Sequence, residues 1–456
     1  MFKNKIRQFI DKGYFSFFLG NLTLSQLNKL EKKQIKLIKN LLKGYYIKYT
    51  ANKTIYCDDE QQNRVFIFMN ILPLWEKSTS NFLKIIADIA NFYADNNIEV
   101  HFVLANHSHM SYLYNDGIKW NNFMHIEHSK LKKKIYEDIY NMVSLKKKDL
   151  NIHILNPQLG EITLNQYIDD SIKFINNLNL SKTDLVFHDG GIVKSDLFEV
   201  LMKKICSKTI FLSMGRAEII DEKYYDYISS FNLDKGQKNT KIINPLTLNL
   251  SPFDWERRNE LKLSIKESAI INKFKLIKPK ILFICAKQKI SNSLDQEFID
   301  ILNILLTKYK KSEVLLIGDD EKTIKNKLKN KISEINRIKV LNFSDSLYSF
   351  YLELTKECNS FFIFPRITGG GIGNLTVACA NIPTTIFKGN DAENSWIPGK
   401  YFVETVDEYL SQIDSFVNNE KNIEQFKVDF HNFKLKKEND SKKICFNLLF
   451  DTKESK

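Results

Sequence analysis

The sequence predicts an α/β protein of two successive doubly wound domains behind a helical extension, and three observations carry that expectation. Apolar runs of strand length alternate with amphipathic helical stretches, first from Arg64 and again from Lys280. Strands separated by helices make parallel sheets. The alternation breaks once, at a segment bearing Pro245 and Pro252. The chain has 456 residues, more than one hydrophobic core usually fills.

Residues 1–60 read as a basic helical extension. Its aromatic patch Tyr14-Phe15-Ser16-Phe17-Phe18-Leu19 lies between lysine-rich flanks and either rests on an anionic membrane surface or packs on the first domain. Residues 61–245 form the first domain, with strands expected at Val65 to Ile71, Ile98 to Leu104, Asn151 to Leu155, Asp184 to His188 and Thr209 to Leu212. The helices between them are expected at Asn81 to Asn96, Leu164 to Leu178 and Ser195 to Ile205, with a charged helical excursion at Lys130 to Asn141. Residues 246–279 connect.

The second domain spans 280–435. Its strands are expected at Ile281 to Cys285, Glu313 to Ile317, Ile338 to Phe343, Ser360 to Phe364 and Thr384 to Phe387. The helices are Leu294 to Tyr309, the basic Lys322 to Ile335 and Leu347 to Glu357, with polar helices closing the chain into a tail at 436–456. Two open sheets in succession are expected to face a central cleft.

The net charge of +13 comes from lysines spread along the chain. No RNA-binding signature, zinc-finger spacing or arginine-rich arm accompanies it, so no nucleic-acid partner is expected. The six cysteines are far apart and several sit in apolar runs, so reduced core thiols are expected. Without a cleavable leader pattern or a bilayer-length apolar segment, the reading is cytoplasmic, with peripheral contact at the inner membrane face as an extension of it.

In open parallel sheets, ligands bind beyond the carboxyl ends of strands. That rule selects a short list. After Phe364 comes Pro365-Arg366-Ile367-Thr368-Gly369-Gly370-Gly371-Ile372-Gly373-Asn374, a strand, a glycine turn and a helix start. Glycines let backbone N–H groups approach an anion, and a helix N-terminus adds unpaired donors. A phosphate suits such a turn, although any tight strand-to-helix turn can look the same. The rule also selects Lys287, Lys289 and Asp391 in the second domain. In the first it selects His107 and His109, His188-Asp189-Gly190-Gly191, and Arg216.

The second domain resembles the nucleotide-sugar-binding half of glycosyltransferases of the GT-B fold, the family-1 and family-4-like group. The residues that carry the resemblance are Ala286-Lys287-Gln288-Lys289, the glycine turn, Ala378-Cys379-Ala380-Asn381-Ile382-Pro383, Gly389-Asn390-Asp391, Tyr401-Phe402-Val403 and Val406-Asp407-Glu408-Tyr409. It covers about Lys280 to Leu435, and the first domain by topology alone. It implies two Rossmann-like domains, a nucleoside-diphosphate sugar as donor, a glycan or lipid-linked acceptor and a role in cell-surface polysaccharide synthesis. Many retaining members flank the turn with two glutamates, where Thr368 and Thr376 stand here. Threonines hydrogen-bond sugar hydroxyls but carry no charge, so the retaining mechanism is not carried over.

On that implication, Lys287, Lys289, Arg366, Gly369, Gly370, Gly371 and the helix N-terminus meet charge growing on the leaving diphosphate. Thr368, Asn374, Thr376 and Asp391 contact the donor. Asn374 and Asp391 also read as a helix cap and a turn residue. His188 and Asp189 are the candidate catalytic pair, competing with a structural His–Asp pair. His107, His109 and Arg216 are candidate acceptor contacts. His107-Ser108-His109 and His125-Ile126-Glu127-His128 match no zinc spacing, and Asp319-Asp320 reads as a helix cap, so no metal or other cofactor is expected. The alternatives are a nucleotide-sugar epimerase-like enzyme and a non-catalytic carbohydrate- or nucleotide-binding protein.

Overall fold

The computed structural model describes Asn21 and residues 43–69, 80–105, 151–155, 162–189, 196–212, 222–229, 241–243, 263–287, 290–342, 347–364, 376–389 and 397–450. The chain divides into two compact units, Met1–Thr247 with Lys442–Lys456, and Leu248–Ser441. Each is an α/β unit built on a parallel sheet.

The first unit's sheet comprises β1 (Val65–Met69), β2 (Val100–Ala105), β3 (Asn151–Leu155), β4 (Leu185–Asp189), β5 (Lys208–Leu212), β6 (Tyr227–Ser229) and β7 (Lys241–Ile243) in the order β3-β2-β1-β4-β5-β6-β7. All pairings are parallel, with Phe68 beside His188 and His188 beside Phe211. β1 and β5 are buried at every position, which is why their sequences read as continuous apolar runs. Helices α1 (Ser80–Asp95), α2 (Leu164–Asn176) and α3 (Asp196–Met202) link these strands. Thr163 and Gln166 form a reciprocal capping box that starts α2. Tyr167, Ile168, Ile172 and Ile175 then fall at helical spacing, and they pack with Phe68, Val186, Phe198 and Tyr225 in one core cluster.

Two short strands were not among the expected elements. β6 and β7 extend the sheet beyond Leu212, and Ile242 and Ile243, which open the proline-bearing segment, pair with Ile228 and Ser229. Three-residue strands carry too little periodicity to be seen in sequence. The helical residues 43–50 belong to the expected extension and send Tyr45 and Tyr46 into the same core. The patch at residues 14–19 and the excursion at 130–141 lie outside the described residues.

The second unit's sheet comprises β8 (Ile281–Ala286), β9 (Ser312–Ile317), β10 (Ile338–Leu341) and β11 (Asn359–Phe362) in the order β10-β9-β8-β11, again parallel. Helix α4 (Ile265–Ile277) falls inside the stretch expected to connect. Its Ser264–Glu267 capping box starts a helix whose Ile271 and Phe274 join the core formed by β8, β9 and β11. Helices α5 (Gln296–Lys308), α6 (Glu321–Leu328) and α7 (Leu347–Glu357) follow. α6 stops at Leu328, short of the expected Ile335, because the chain turns through Asn330 in the left-handed region at φ 63°. β12 (Ile386–Phe387) and β13 (Phe402–Val403) make a small parallel pair. α8 (Val406–Asn418) and α9 (Glu420–Phe450) close the chain, so the expected tail is largely helix.

From Lys442 that last helix counts with the first unit. There Lys208 Nζ donates to Leu448 O (2.9 Å) and Tyr93 Oη donates to Cys445 O (2.9 Å). A buried cation meeting a helix's terminal carbonyls satisfies both partners.

The cysteine expectation is corrected in part. Cys57 and Cys206 form a disulfide with Cα atoms 6.0 Å apart, while Cys285, Cys358 and Cys445 are free and buried and Cys379 is free and half-buried. The pair is separated by 149 residues. It meets because the bridge Asp58–Ser181 and strand β5 bring the two lead-in segments together. Nothing local in the sequence announces such a pairing. Among the described residues no helix is long and apolar enough to cross a membrane.

Candidate functional site

In both units the sheet reverses its winding once, and among the described residues Lys287 follows a strand at one reversal while His188 and Asp189 end a strand at the other. In the second sheet the reversal lies between β8 and β11, whose order with β9 and β10 runs outward from β8 on one side only. Crevices beyond the carboxyl ends of strands at such points are where ligands enter doubly wound sheets.

β8 is buried from Leu282 to Ala286, and Lys287 is its first charged residue. Its backbone N–H donates to Ile317 O (2.9 Å), which fixes the point at which the chain leaves the sheet. Beyond it, Ile290–Ser293 forms a short 3-10 turn. The Ser291 hydroxyl donates to the Asp319 carboxylate, and Lys327 Nζ donates to Ser291 O, so the turn after β8 is fastened to the loop after β9 and to α6. Gly318, at φ 123°, lets that loop turn while its N–H donates to Leu341 O (2.9 Å). Asp320 caps α6, accepting from Thr323 N (2.9 Å). The Thr323 hydroxyl and nearby backbone N–H groups hold its carboxyl below the usual range. Each aspartate of Asp319-Asp320 thus has a structural partner. Among the described residues no group of three or more His, Cys, Asp or Glu side chains is arranged to hold a metal.

β11 continues through Ile363 to Phe364, the last described residue before the glycine-bearing segment, and one side chain holds that end. Tyr409, in the first turn of α8, is fully buried, accepts from Phe364 N (2.7 Å) and donates to Phe364 O (3.3 Å). Its ring lies flat on Phe387, centroids 4.5 Å apart and planes 6° apart. Both backbone polar groups of Phe364, two residues past the end of β11, are therefore satisfied by a side chain where the ladder has ended. Sequence reading missed this role. The available signal was the Thr405–Glu408 capping box, which puts Tyr409 on the first inward turn of α8. Thr376 is buried and opens the short helical stretch 376–379. Lys289, Arg366, Thr368, Gly369, Gly370, Gly371, Asn374 and Asp391 lie outside the described residues.

In the first unit the reversal lies between β1 and β4. His188 and Asp189 end β4 there. His188 is only 2% exposed, and burial pushes its imidazole down to about 3, so the ring is neutral across the physiological range. Its Nδ1 is 2.7 Å from Tyr225 Oη. The two rings stack with centroids 5.7 Å apart and planes 19° apart, and Phe211 packs against both. Tyr225, which precedes β6, was also missed, because the run Tyr224-Tyr225-Asp226-Tyr227 has no periodicity to distinguish one ring from the next. His107, His109 and Arg216 lie outside the described residues.

A second histidine cluster lies at the opposite, amino-terminal end of the same sheet. His101 Nδ1 and His153 Nε2 are 2.9 Å apart, and His101 stacks on Phe66 at 4.4 Å. Burial, then its neighbour His153, pushes His101 down to about 4. Burial also lowers His153.

No protein-family model and no curated protein matches the chain. Solved structures do. The Thermobaculum terrenum O-GlcNAc transferase aligns with TM-score 0.52 at 9% identity, over 89% of this chain and 72% of its own. Anabaena HepE in complex with UDP aligns with TM-score 0.51 at 11% identity, over 84% and 98%. Trehalose-6-phosphate synthase OtsA aligns with TM-score 0.50 at 11% identity, over 85% and 99%. The chain has the GT-B fold of these glycosyltransferases.

Proposed function

We propose that the protein is a glycosyltransferase that moves a sugar, of hexosyl type, from a nucleoside-diphosphate donor to a hydroxyl of a glycan or lipid-linked acceptor. The carrying observation is the strand order of the second sheet. β8, which leads into Lys287, lies beside β11, which leads into the segment bearing Gly369, Gly370 and Gly371. A cation and a glycine turn entering a helix are the groups a leaving diphosphate needs, since negative charge grows on phosphate as the glycosidic bond breaks.

In this reading Lys287, Lys289 and Arg366 neutralise the diphosphate, and the backbone of the glycine turn donates to it without a metal. Thr368, Asn374, Thr376 and Asp391 contact the sugar or nucleoside. The first unit supplies acceptor-side groups, Asp189 and His188 at the end of β4 with His107, His109 and Arg216. The UDP bound in the HepE structure supports a UDP-type donor. Synthesis of a cell-surface polysaccharide suits such chemistry, in the cytoplasm and with residues 14–19 resting on the inner face of the membrane.

The test is release of free nucleotide from UDP-, GDP-, ADP- and CMP-sugars, with and without glycan or polyprenol-linked acceptors. Acceptor-stimulated release from one donor is expected. Interconversion of the sugar nucleotide without release would favour an epimerase. Tight binding with no turnover would favour a binding protein, and neither binding nor turnover would overturn the reading.

A further inference from the structure

Helix α4 of the second unit is apolar on two opposite sides. Inward, Ile271 and Phe274 are buried in the core with β8, β9 and β11, next to the capping Glu267. Outward, Ile265, Ala269, Asn272 and Leu276 follow one another at helical spacing and form a single stripe on the side away from that core. Ile265 is 89% exposed and Leu276 85%, the highest values of any large apolar side chain among the described residues, and Ile277 beside Leu276 is also exposed. Apolar side chains scattered singly over a surface need no explanation. These lie about 16 Å apart or less along the outermost line of one helix.

Lysines border the stripe. Lys266 and Lys273 run along one side, Lys275 along the other, and Lys278 and Lys280 follow the carboxyl end, all of them exposed. The one carboxylate of α4, Glu267, is buried in the capping box and not on this side. At the edges of the face, Glu357 of α7 meets Lys275 at 3.5 Å and Glu321 of α6 meets Lys325 at 2.6 Å. Aliphatic tips between ammonium groups are what a helix lying in a lipid interface presents, the tips entering the acyl boundary and the lysines reaching headgroup phosphates. A second copy of the chain fits less well, since a two-fold contact would set these lysines against themselves.

We propose that the outward face of α4 is a docking surface for bilayers rich in anionic phospholipid. Ile265, Leu276 and Ile277 supply the apolar contact, and the bordering lysines select the negative surface. This contact is distinct from the one read from residues 14–19, and it does not depend on the glycosyltransferase reading.

The test is co-sedimentation of the full chain with vesicles of phosphatidylcholine alone and of phosphatidylcholine mixed with phosphatidylglycerol, in about 0.15 M salt. The native chain should sediment with the mixed vesicles and stay in solution with the neutral ones. Ile265→Lys/Leu276→Lys raises the net charge while removing the aliphatic contact, so it separates insertion from simple adsorption. Its partitioning onto the mixed vesicles should fall more than about tenfold, whereas attraction of a basic protein alone would leave binding equal or stronger. Both positions face solvent, so the melting temperature should be unchanged; if it falls, Ile265→Ser/Leu276→Ser takes the variant's place with the same expectation. Failure of the native chain to bind the mixed vesicles, or native-strength binding by the folded variant, would overturn the proposal. So would a native dimer that the variant converts to a monomer, which would give the face to a second copy.

Discussion

The two sheets share a winding pattern and differ in what stands at the reversal. Near the end of β4 in the first unit, His188 is buried and neutral and packs against Tyr225 and Phe211. At β8 of the second the strand end is ionic. Lys287 leaves the sheet half-buried, and the next turn is fastened by Ser291, Asp319 and Lys327. The difference teaches that one topology can be fitted for two tasks. A buried neutral ring orients hydrogen bonds without moving charge, while a half-solvated cation can meet the charge of a phosphate and release it again.

The sharpest way to break this contrast is Gly370→Val, which on the proposed reading places a β-branched side chain where backbone approaches the diphosphate. Donor affinity should fall more than about 100-fold, about 3 kcal/mol, read by titration calorimetry on folded protein. Lys287→Ala comes next. Loss of one charge-assisted contact to phosphate predicts about 2 kcal/mol, or about 30-fold in donor Kd, with the loss shrinking as salt is raised. Tyr409→Phe should cost about 1 kcal/mol of stability, because Phe364 loses its partners at the strand end. It should also raise donor Kd severalfold with kcat little changed; a fall in melting temperature alone would confine Tyr409 to packing.

The smallest effect near neutrality concerns the first unit's other histidines. His101 sits at about 4 in the folded chain against 6.5 unfolded, and His153 shifts the same way. Below pH 6.5 the unfolded chain therefore binds more protons, so stability is level above that pH, falls as pH drops through 6.5 and flattens below about 4. His101→Phe should remove part of that fall in urea unfolding between pH 7 and pH 5. An unchanged pH profile would assign the acid sensitivity to other groups.

Much of the frame was legible in the sequence, because buried parallel strands are written as unbroken apolar runs. Val65–Met69, Leu185–Asp189, Ile281–Ala286 and Ser312–Ile317 stand close to where periodicity and flanking turns put them. The carboxyl-end rule also picked Lys287 and His188 from strand position alone. What stayed hidden was long-range. Tyr225 meets His188 across 37 residues, Tyr409 meets Phe364 across 45, and Cys57 meets Cys206 across 149. No local pattern encodes those pairs, which exist only once the strand order is fixed. The short strands β6 and β7 were hidden for a simpler reason, since three residues cannot display a period.

The most direct test of the central claim is the melting temperature of the native chain and of folded Gly370→Val, each with UDP, GDP, ADP or CMP. A ligand that binds only the folded state raises apparent stability by mass action. An upward shift with one nucleotide is expected in the native chain and none in Gly370→Val. No shift with any nucleotide, or an equal shift in both proteins, would contradict that claim.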